Sequence, residues 1–326
     1  RMPKAIVANT LECSGNGRSL LAEKAAGNPW TIGGVGNAVW GGVWLRDLLE
    51  KTGLTEKAKY VAFEGLEKPL GSAGIKFIRS IPIDKAMSST LLAYEMNDEP
   101  LPLEHGYPLR SLALGWTGAN CVKWLCRITV LDRPFEGFYM DNVYRVFQKD
   151  EDPRSGEVVK RIKVKSIITQ PLPGETLEAG PITILGAAYA GEVDIEHVEV
   201  SVDNGKSWEV AELIGPHEPF AWRQWQFVWE VKKNGEYTIM ARAIDSTGLD
   251  PHTQTAFASL TLLNMIYEPL VVNDHDLNIA PGLAESWEFS DDAMMLTMHL
   301  REGVTFHNGA ALTAADVIAS YERILD

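Results

Sequence analysis

Thr10-Leu11-Glu12-Cys13-Ser14-Gly15-Asn16-Gly17-Arg18-Ser19 is where a strand-like run, begun at Ala5–Val7, gives way to a glycine-rich loop headed by a cysteine. A cysteine between a strand and Gly-Asn-Gly lies on a loop whose backbone can fold tightly around it, and Arg18 brings positive charge to the same loop. Such a thiol is either a ligand or a small hydrophobe beside a turn, and on these residues alone the second reading is the stronger.

Outward from this loop, residues 1–150 mix short apolar runs at Ala5–Val7, Tyr60–Phe63 and Val122–Val130 with a helical pattern over Val43–Lys51, which makes the class α+β. Gly33-Gly34-Val35-Gly36 and Gly41-Gly42 let backbone approach backbone or ligand closely. Further on, His105-Gly106-Tyr107-Pro108-Leu109-Arg110 is followed by Gly115-Trp116-Thr117-Gly118-Ala119-Asn120-Cys121-Val122-Lys123-Trp124. His, Arg and Lys interleaved with glycines suit an anionic, phosphate-bearing ligand, with Arg as a two-pronged donor and Lys as a point charge. His105 taken alone is an ordinary turn residue.

The polar stretch from Glu151 to Val158 reads as a linker. From Ile162 to Leu262 the chain becomes a series of short strands: Ile182–Leu185, then Val198, Val200 and Val202 alternating with Glu199, Ser201 and Asp203, then Gln224–Val231 and Tyr237–Ile244. Asn204-Gly205 is expected to turn a tight hairpin with both residues at positive φ. This pattern predicts an all-β immunoglobulin-like sandwich, in which Arg223 lies between Trp222 and Trp225. Residues 263–326 break the pattern with two strand-like pieces, a turn at His307-Asn308-Gly309, and Thr313 with Asp316 as the N-cap of a helix running to the C-terminus.

A length of 326 residues predicts about two domains. Hydrophobic residues make up 45% and charged residues 23%, the balance of a globular protein, and no apolar run approaches the roughly 20 residues of a membrane span. The net charge of −14, with no run of basic residues, excludes a nucleic-acid partner and suits a basic protein partner. Three cysteines, Cys13, Cys121 and Cys126, cannot build a disulfide framework, and the last two are expected to pack as small hydrophobes. Trp30 and Tyr144 carry no signal by themselves, and His217, His252, His275, His299 and His307 share no metal-ligand spacing. The chain starts abruptly with no signal peptide, so upstream sequence is expected to be missing.

Taken in order, five stretches resemble the sulfite oxidase family of molybdopterin enzymes: TLECSGNGRS, PWTIGGVGNAVWGGVWLRDLL, LLAYEMNDEPLPLEHGYPLR, GWTGANCVKWL and EPFAWRQWQF. The resemblance covers about residues 8–262. It implies a molybdopterin-binding domain at 1–150 and an immunoglobulin-like dimerisation domain at 158–262. Cys13 then becomes the thiolate ligand of molybdenum, a role that suits a soft sulfur donor. Glu67, His105, Arg110, Cys121, Val122 and Lys123 fall where the family binds the pterin and its phosphate. Arg18, Trp30, Tyr144 and Arg223 fall around the substrate oxyanion. The implied reaction is oxidation of sulfite to sulfate by oxo transfer on a molybdenum-molybdopterin cofactor, with electrons leaving to an external c-type cytochrome. A homodimer and a place in the periplasm, or otherwise outside the cytoplasm, are implied as well; no haem is expected in this chain.

Three departures accompany the resemblance. The family's upstream segment with Arg, Asn and His would lie before residue 1. Cys121 stands where serine is common, and Glu67 where aspartate is common. Cys-Ser-Gly-Asn-Gly looks more like bacterial sulfite or sulfane dehydrogenases than like the animal and plant enzymes, which keeps sulfane-sulfur oxidation, or another oxo transfer on this scaffold, as the rival activity. Residues 280–324 resemble the early part of a periplasmic oligopeptide-binding protein of family 5, a fragment lacking most of a ligand site. The join near Leu262 to Asn264 is expected to be a fusion or a mis-assembled frame, and an inactive chimeric fragment, or a piece of a solute-binding protein, is the non-enzymatic alternative.

Overall fold

A computed structural model describes residues 2–21, 27–68, 70–72, 74–146, 152–247, 268–273, 278–292, 294–306 and 309–325. The chain divides into two compact units, Arg1–Ser246 and Thr247–Asp326. The expected join near 262–264 and the histidines His252, His275 and His307 lie outside the described residues.

In the first unit, β1 (Ala5–Glu12) pairs antiparallel with β2 (Val35–Trp44), from Ala5 opposite Gly42 to Glu12 opposite Val35. Helix α1 (Leu45–Thr52) follows directly and buries Leu45 and Leu49, two positions one turn apart on a single face. Next come β3 (Tyr60–Gly65), β4 (Ile78–Pro82), α2 (Ile83–Ser89) and β5 (Thr90–Met96). They are followed by β6 (Glu99–Pro100), β7 (Arg110–Ala113) and β8 (Leu125–Leu131). The strands β1, β2, β5, β6 and β7 make one sheet, and β4, β3 and β8 a second. Between them lies a core that includes Trp40, Leu45, Phe63, Ile81, Leu91, Leu112 and Val122. The apolar run expected over Val122–Val130 becomes a strand only from Leu125. Cys126 is exposed rather than packed in an apolar stretch, because alternation along β8 turns it outward.

After the single-turn helix α3 (Phe138–Asp141), the strand β9 (Arg145–Val146) pairs with β10 (Glu157–Val158), so the last residues of the expected linker are hydrogen-bonded. Six strands follow: β11 (Lys165–Gln170), β12 (Pro181–Tyr189), β13 (Ile195–Ser201), β14 (Glu209–Ile214), β15 (Arg223–Glu230) and β16 (Met240–Asp245). They pair in the order β11, β12, β15, β14, β13, β16, and the two end strands come back into contact with each other. Val198 and Val200 point into the core with Ile184 and Trp225, as the alternation predicts. Asn204 and Gly205 do have positive φ, at 64° and 83°. They do not form a two-residue hairpin, however, since Val200 pairs with Glu209. The wider loop is closed by Asp203, whose carboxylate accepts from the Ser207 hydroxyl and from the backbone N–H groups of Lys206 and Ser207.

The six-stranded part is locked onto the first two sheets within this unit. Gly115 and Gly191 meet backbone to backbone, where a Cβ on either would run into the other's carbonyl oxygen. The Ile162 and Thr117 N–H groups donate to the Gly115 and Lys160 carbonyls at 3.0 and 2.8 Å. Lys85, nearly buried, pairs with Glu192 at 2.6 Å. Glu12, at the end of β1, accepts from Lys165 and from the Tyr189 hydroxyl.

The second unit holds the hairpins of β17 (Val271–Asn273) with β18 (Ile279–Pro281) and of β19 (Ala284–Phe289) with β20 (Leu296–Leu300), and the helix α4 (Ala314–Leu325). The predicted N-cap is present: the Thr313 N–H and hydroxyl both donate to Asp316, at 2.8 and 2.7 Å. Among the described residues no helix is long and apolar enough to cross a membrane.

Candidate functional site

The loop after β1 is held by its own backbone and by one side chain. The Cys13 N–H donates to the Gly34 carbonyl at 2.8 Å, and the Asn16 N–H returns to the Cys13 carbonyl at 2.9 Å. Asn16 is the clasp: its amide donates to Glu12 and its carbonyl accepts from the Gly34 N–H, both at 2.8 Å. Gly17 sits at φ 82°, a left-handed conformation that a side chain would oppose, and its N–H reaches the Thr31 carbonyl. The result is a free, exposed Cys13 thiol at the head of a rigid turn.

Arg18 and Trp30 stand on the two arms of this loop, tied by the Ser19 N–H to the Trp30 carbonyl. Tyr144, with φ 57°, completes the group. Burial raises its phenol pKa, the charge of Cys13 raises it further, and Arg79 and Arg18 oppose the shift. Those same interactions place Cys13, Arg18, Arg79 and Tyr144 in one electrostatic neighbourhood. Arg223 opens β15, and the loop before it is pinned to β1 by the Thr10 N–H donating to the Phe220 carbonyl at 2.8 Å. Its Nε is buried without a hydrogen-bond partner.

A second group forms around Arg110. Its guanidinium is buried, donates to the His105 carbonyl at 2.8 Å, lies over Trp40, and leaves Nε without a partner. Lys123 lies over Trp124 and donates to the Glu104 carbonyl at 2.9 Å. Glu67 has its Oε2 buried and unpartnered, and burial lifts its carboxyl above the ordinary range against the pull of its own backbone N–H and of Lys123. Glu67, Tyr107, Pro108 and Trp124 line a cavity of about 570 Å³. Cys121 and Val122 are placed differently. Both side chains lie in the core, and Val122 exchanges its N–H and carbonyl with Ser111. His105 contributes its carbonyl, while its ring stands on an exposed turn.

Sequence reasoning missed Arg79, which is fully buried on β4. The available signal was a cation inside the apolar run Phe77-Ile78-Arg79-Ser80-Ile81. A wider pattern includes it. Lys4, Arg46, Lys76, Lys85, Arg127, Arg161, Lys165 and Arg242 each have a carboxylate within salt-bridge distance. Arg18, Arg79, Arg110, Lys123 and Arg223 have none among the described residues, and neither do exposed cations such as Lys57, Lys160 and Lys206; Arg79, Arg110 and Arg223 differ from these in leaving a buried Nε without a partner. Buried guanidinium donors without partners on Arg110 and Arg223, together with a free thiol at Cys13, fit an anionic, phosphate-bearing cofactor whose metal takes one sulfur from the protein. No three His, Cys, Asp or Glu side chains converge among the described residues to hold a metal unaided.

Residues 1–139 match the oxidoreductase molybdopterin binding domain, and residues 157–273 match the Mo-co oxidoreductase dimerisation domain. Residues 278–326 match the middle part of bacterial extracellular solute-binding proteins of family 5. Most of the chain therefore consists of the two domains that define the molybdopterin oxidoreductase class. Sulfite oxidase of Gallus gallus is 36% identical over 265 residues, covering 76% of this chain and 57% of that protein. Sulfite oxidase of Arabidopsis thaliana is 31% identical over 274 residues, covering 75% of this chain and 69% of that protein. The chain belongs to the sulfite oxidase family. It spans 48% of the mitochondrial sulfite oxidase of Homo sapiens, to which it is 37% identical. The crystal structure of the sulfane dehydrogenase SoxCD from Paracoccus pantotrophus is similar with a TM-score of 0.66 at 30% identity, covering 76% of this chain and 62% of that one.

Proposed function

We propose that this chain oxidises sulfite to sulfate outside the cytoplasm and passes the electrons to a c-type cytochrome. The reading rests on one observation: Arg110 and Arg223, one in each group, leave a buried guanidinium Nε without a hydrogen-bond partner and have no carboxylate within salt-bridge distance among the described residues. In this reading Cys13 supplies the thiolate to molybdenum. Arg110, Lys123 and Glu67, beside the cavity, hold the pterin and its phosphate, and His105, Cys121 and Val122 contribute backbone and shape. When bound, the cofactor supplies two-electron oxo-transfer chemistry.

The chain's own groups bind and orient the substrate. Arg18 and Arg223 offer two guanidinium forks to a dianionic oxyanion. The Tyr144 phenol, protonated at neutral pH as an ordinary phenol is, donates a hydrogen bond, and Trp30 forms one side of the pocket. The six-stranded part, read as an immunoglobulin-like sandwich over 158–262, serves dimerisation, and residues 263–326 are a joined fragment of a solute-binding protein. Similarity to the SoxCD structure supports a second reading, oxidation of a sulfane sulfur at the same pocket.

Sulfite-dependent reduction of a c-type cytochrome, with about one molybdenum per chain, is the expected result, and Cys13→Ala removes the activity. A molybdenum-loaded protein inert to sulfite but active on a sulfane substrate selects the second reading.

A further inference from the structure

Arg79 is wholly buried on β4 and has no carboxylate within salt-bridge distance among the described residues. Its Nη1 donates to the Tyr139 carbonyl, its Nη2 to Asn120 Oδ1 at 2.7 Å, and its Nε has no partner. Burial lowers its pKa to about 10, so the charge persists at neutral pH. Keeping an unpaired cation inside a fold is costly, and replacement by an apolar residue of similar volume would ordinarily be neutral or stabilising. Stability therefore gives no account of this side chain.

Two chains of contact lead from Arg79 to the two sides of Cys13. On one side the guanidinium lies over the Tyr144 ring, 5.4 Å from its centre. Tyr144 holds φ 57°, a conformation that a bulky residue keeps only when its surroundings impose it. The other brace is the Val159 N–H, which donates to the Tyr144 carbonyl at 2.8 Å. On the other side, Asn120 donates to Thr117 Oγ1 at 3.2 Å and to the Val159 carbonyl at 3.0 Å. Thr117 in turn accepts from the Ser14 hydroxyl at 2.8 Å, next to Cys13. The charged and titratable groups that face Arg79 and Tyr144 are Arg145, Arg18, Tyr139 and Cys13.

We propose that Arg79 is a positioning residue for substrate binding: it braces Tyr144 against the Cys13 loop and supplies a buried positive charge that an arriving sulfur oxyanion completes. The proposal rests on reading that loop as the substrate pocket. Arg79 is fully buried and acts through Tyr144, Asn120 and its field.

The test uses the molybdenum-loaded full chain with Arg79→Gln and Arg79→Lys. Two measurements are made: KM and kcat for sulfite, and the rise in Tm caused by sulfate relative to chloride at matched ionic strength. In Arg79→Gln, KM is expected to rise about tenfold while kcat stays within about threefold, and the sulfate-specific rise in Tm is expected to vanish. Arg79→Lys keeps the charge but gives up the fork and the stacking over Tyr144; it is expected to retain the sulfate-specific rise in Tm, with KM rising less than in Arg79→Gln. A Gln variant with parental KM and sulfate response overturns the proposal. So does a folded Lys variant that loses anion binding, a reading that holds even where the Gln variant fails to fold. If the parent does not oxidise sulfite but its sulfate response disappears in Arg79→Gln, the role of Arg79 stands and the assigned reaction falls.

Discussion

At the scale of single residues, the site divides into groups that the sequence displays and groups that only the fold can explain. Cys13, Arg18 and Arg110 lie in short motifs whose chemistry is visible in the order of residues. Arg79 does not, because a polar residue inside an alternating strand reads as its solvent face, and only the packing of α3 and Asn120 over β4 reveals it as buried. Val122 fails in the opposite sense, since the motif that contains it cannot reveal that Ser111 takes both of its backbone groups. Glu67 yields a prediction at this scale. Burial holds its folded-state pKa above the ordinary 4.5, so the folded chain keeps a proton that the unfolded chain has released. The stability that this contributes is complete below 4.5 and is lost as pH rises through the raised value. Glu67→Gln should therefore melt with the parent in acid and increasingly above it toward neutrality, levelling off once Glu67 has ionised. Melting curves of the cofactor-free chain from about pH 4 to about pH 8 measure the gap, and a gap that shrinks with rising pH contradicts the assignment.

At the scale of elements, periodicity located about half of the strands of the first unit and the helix α1, while pairing partners stayed hidden because they are set by contacts distant in sequence. The Gly41-Gly42 cluster was legible as a close approach, and the structure supplies the partner. At that point β2 and β5 slip register, and a Cβ on Gly42 would fall inside the Leu92 carbonyl and 2.9 Å from Ala93 Cα. Neither atom belongs to a flexible side chain. Gly42→Ala is expected to destabilise the fold by about 2 kcal/mol or more, read as a lower urea midpoint with an unchanged slope. An unaltered midpoint would mean that the two strands can separate freely at the slip. The loop at Asn204-Gly205 shows the limit of local signals. Its dihedrals were foreseeable, but its length was set by the Asp203 carboxylate gathering the next turn.

At the scale of the whole molecule, a net charge of −14 governs encounters with other macromolecules. If the acceptor is a basic cytochrome, its second-order rate of reduction should fall steeply as ionic strength rises, because screening removes long-range attraction. Stopped-flow reduction across a salt series tests this, and a rate that is flat or rises with salt rules out such a partner. The seam around Glu12 carries a different consequence. Asn16 shapes the cysteine loop and is held by Glu12, which is itself held by Lys165 and Tyr189, more than 150 positions downstream. During synthesis the Glu12 anchor of this loop thus lacks two of its partners until residue 189 has emerged and β12 has docked. The final geometry of the cysteine loop is thereby tied to the docking of strands made much later, and a chain whose later strands are absent or misfolded is expected to present a looser Glu12 end of that loop.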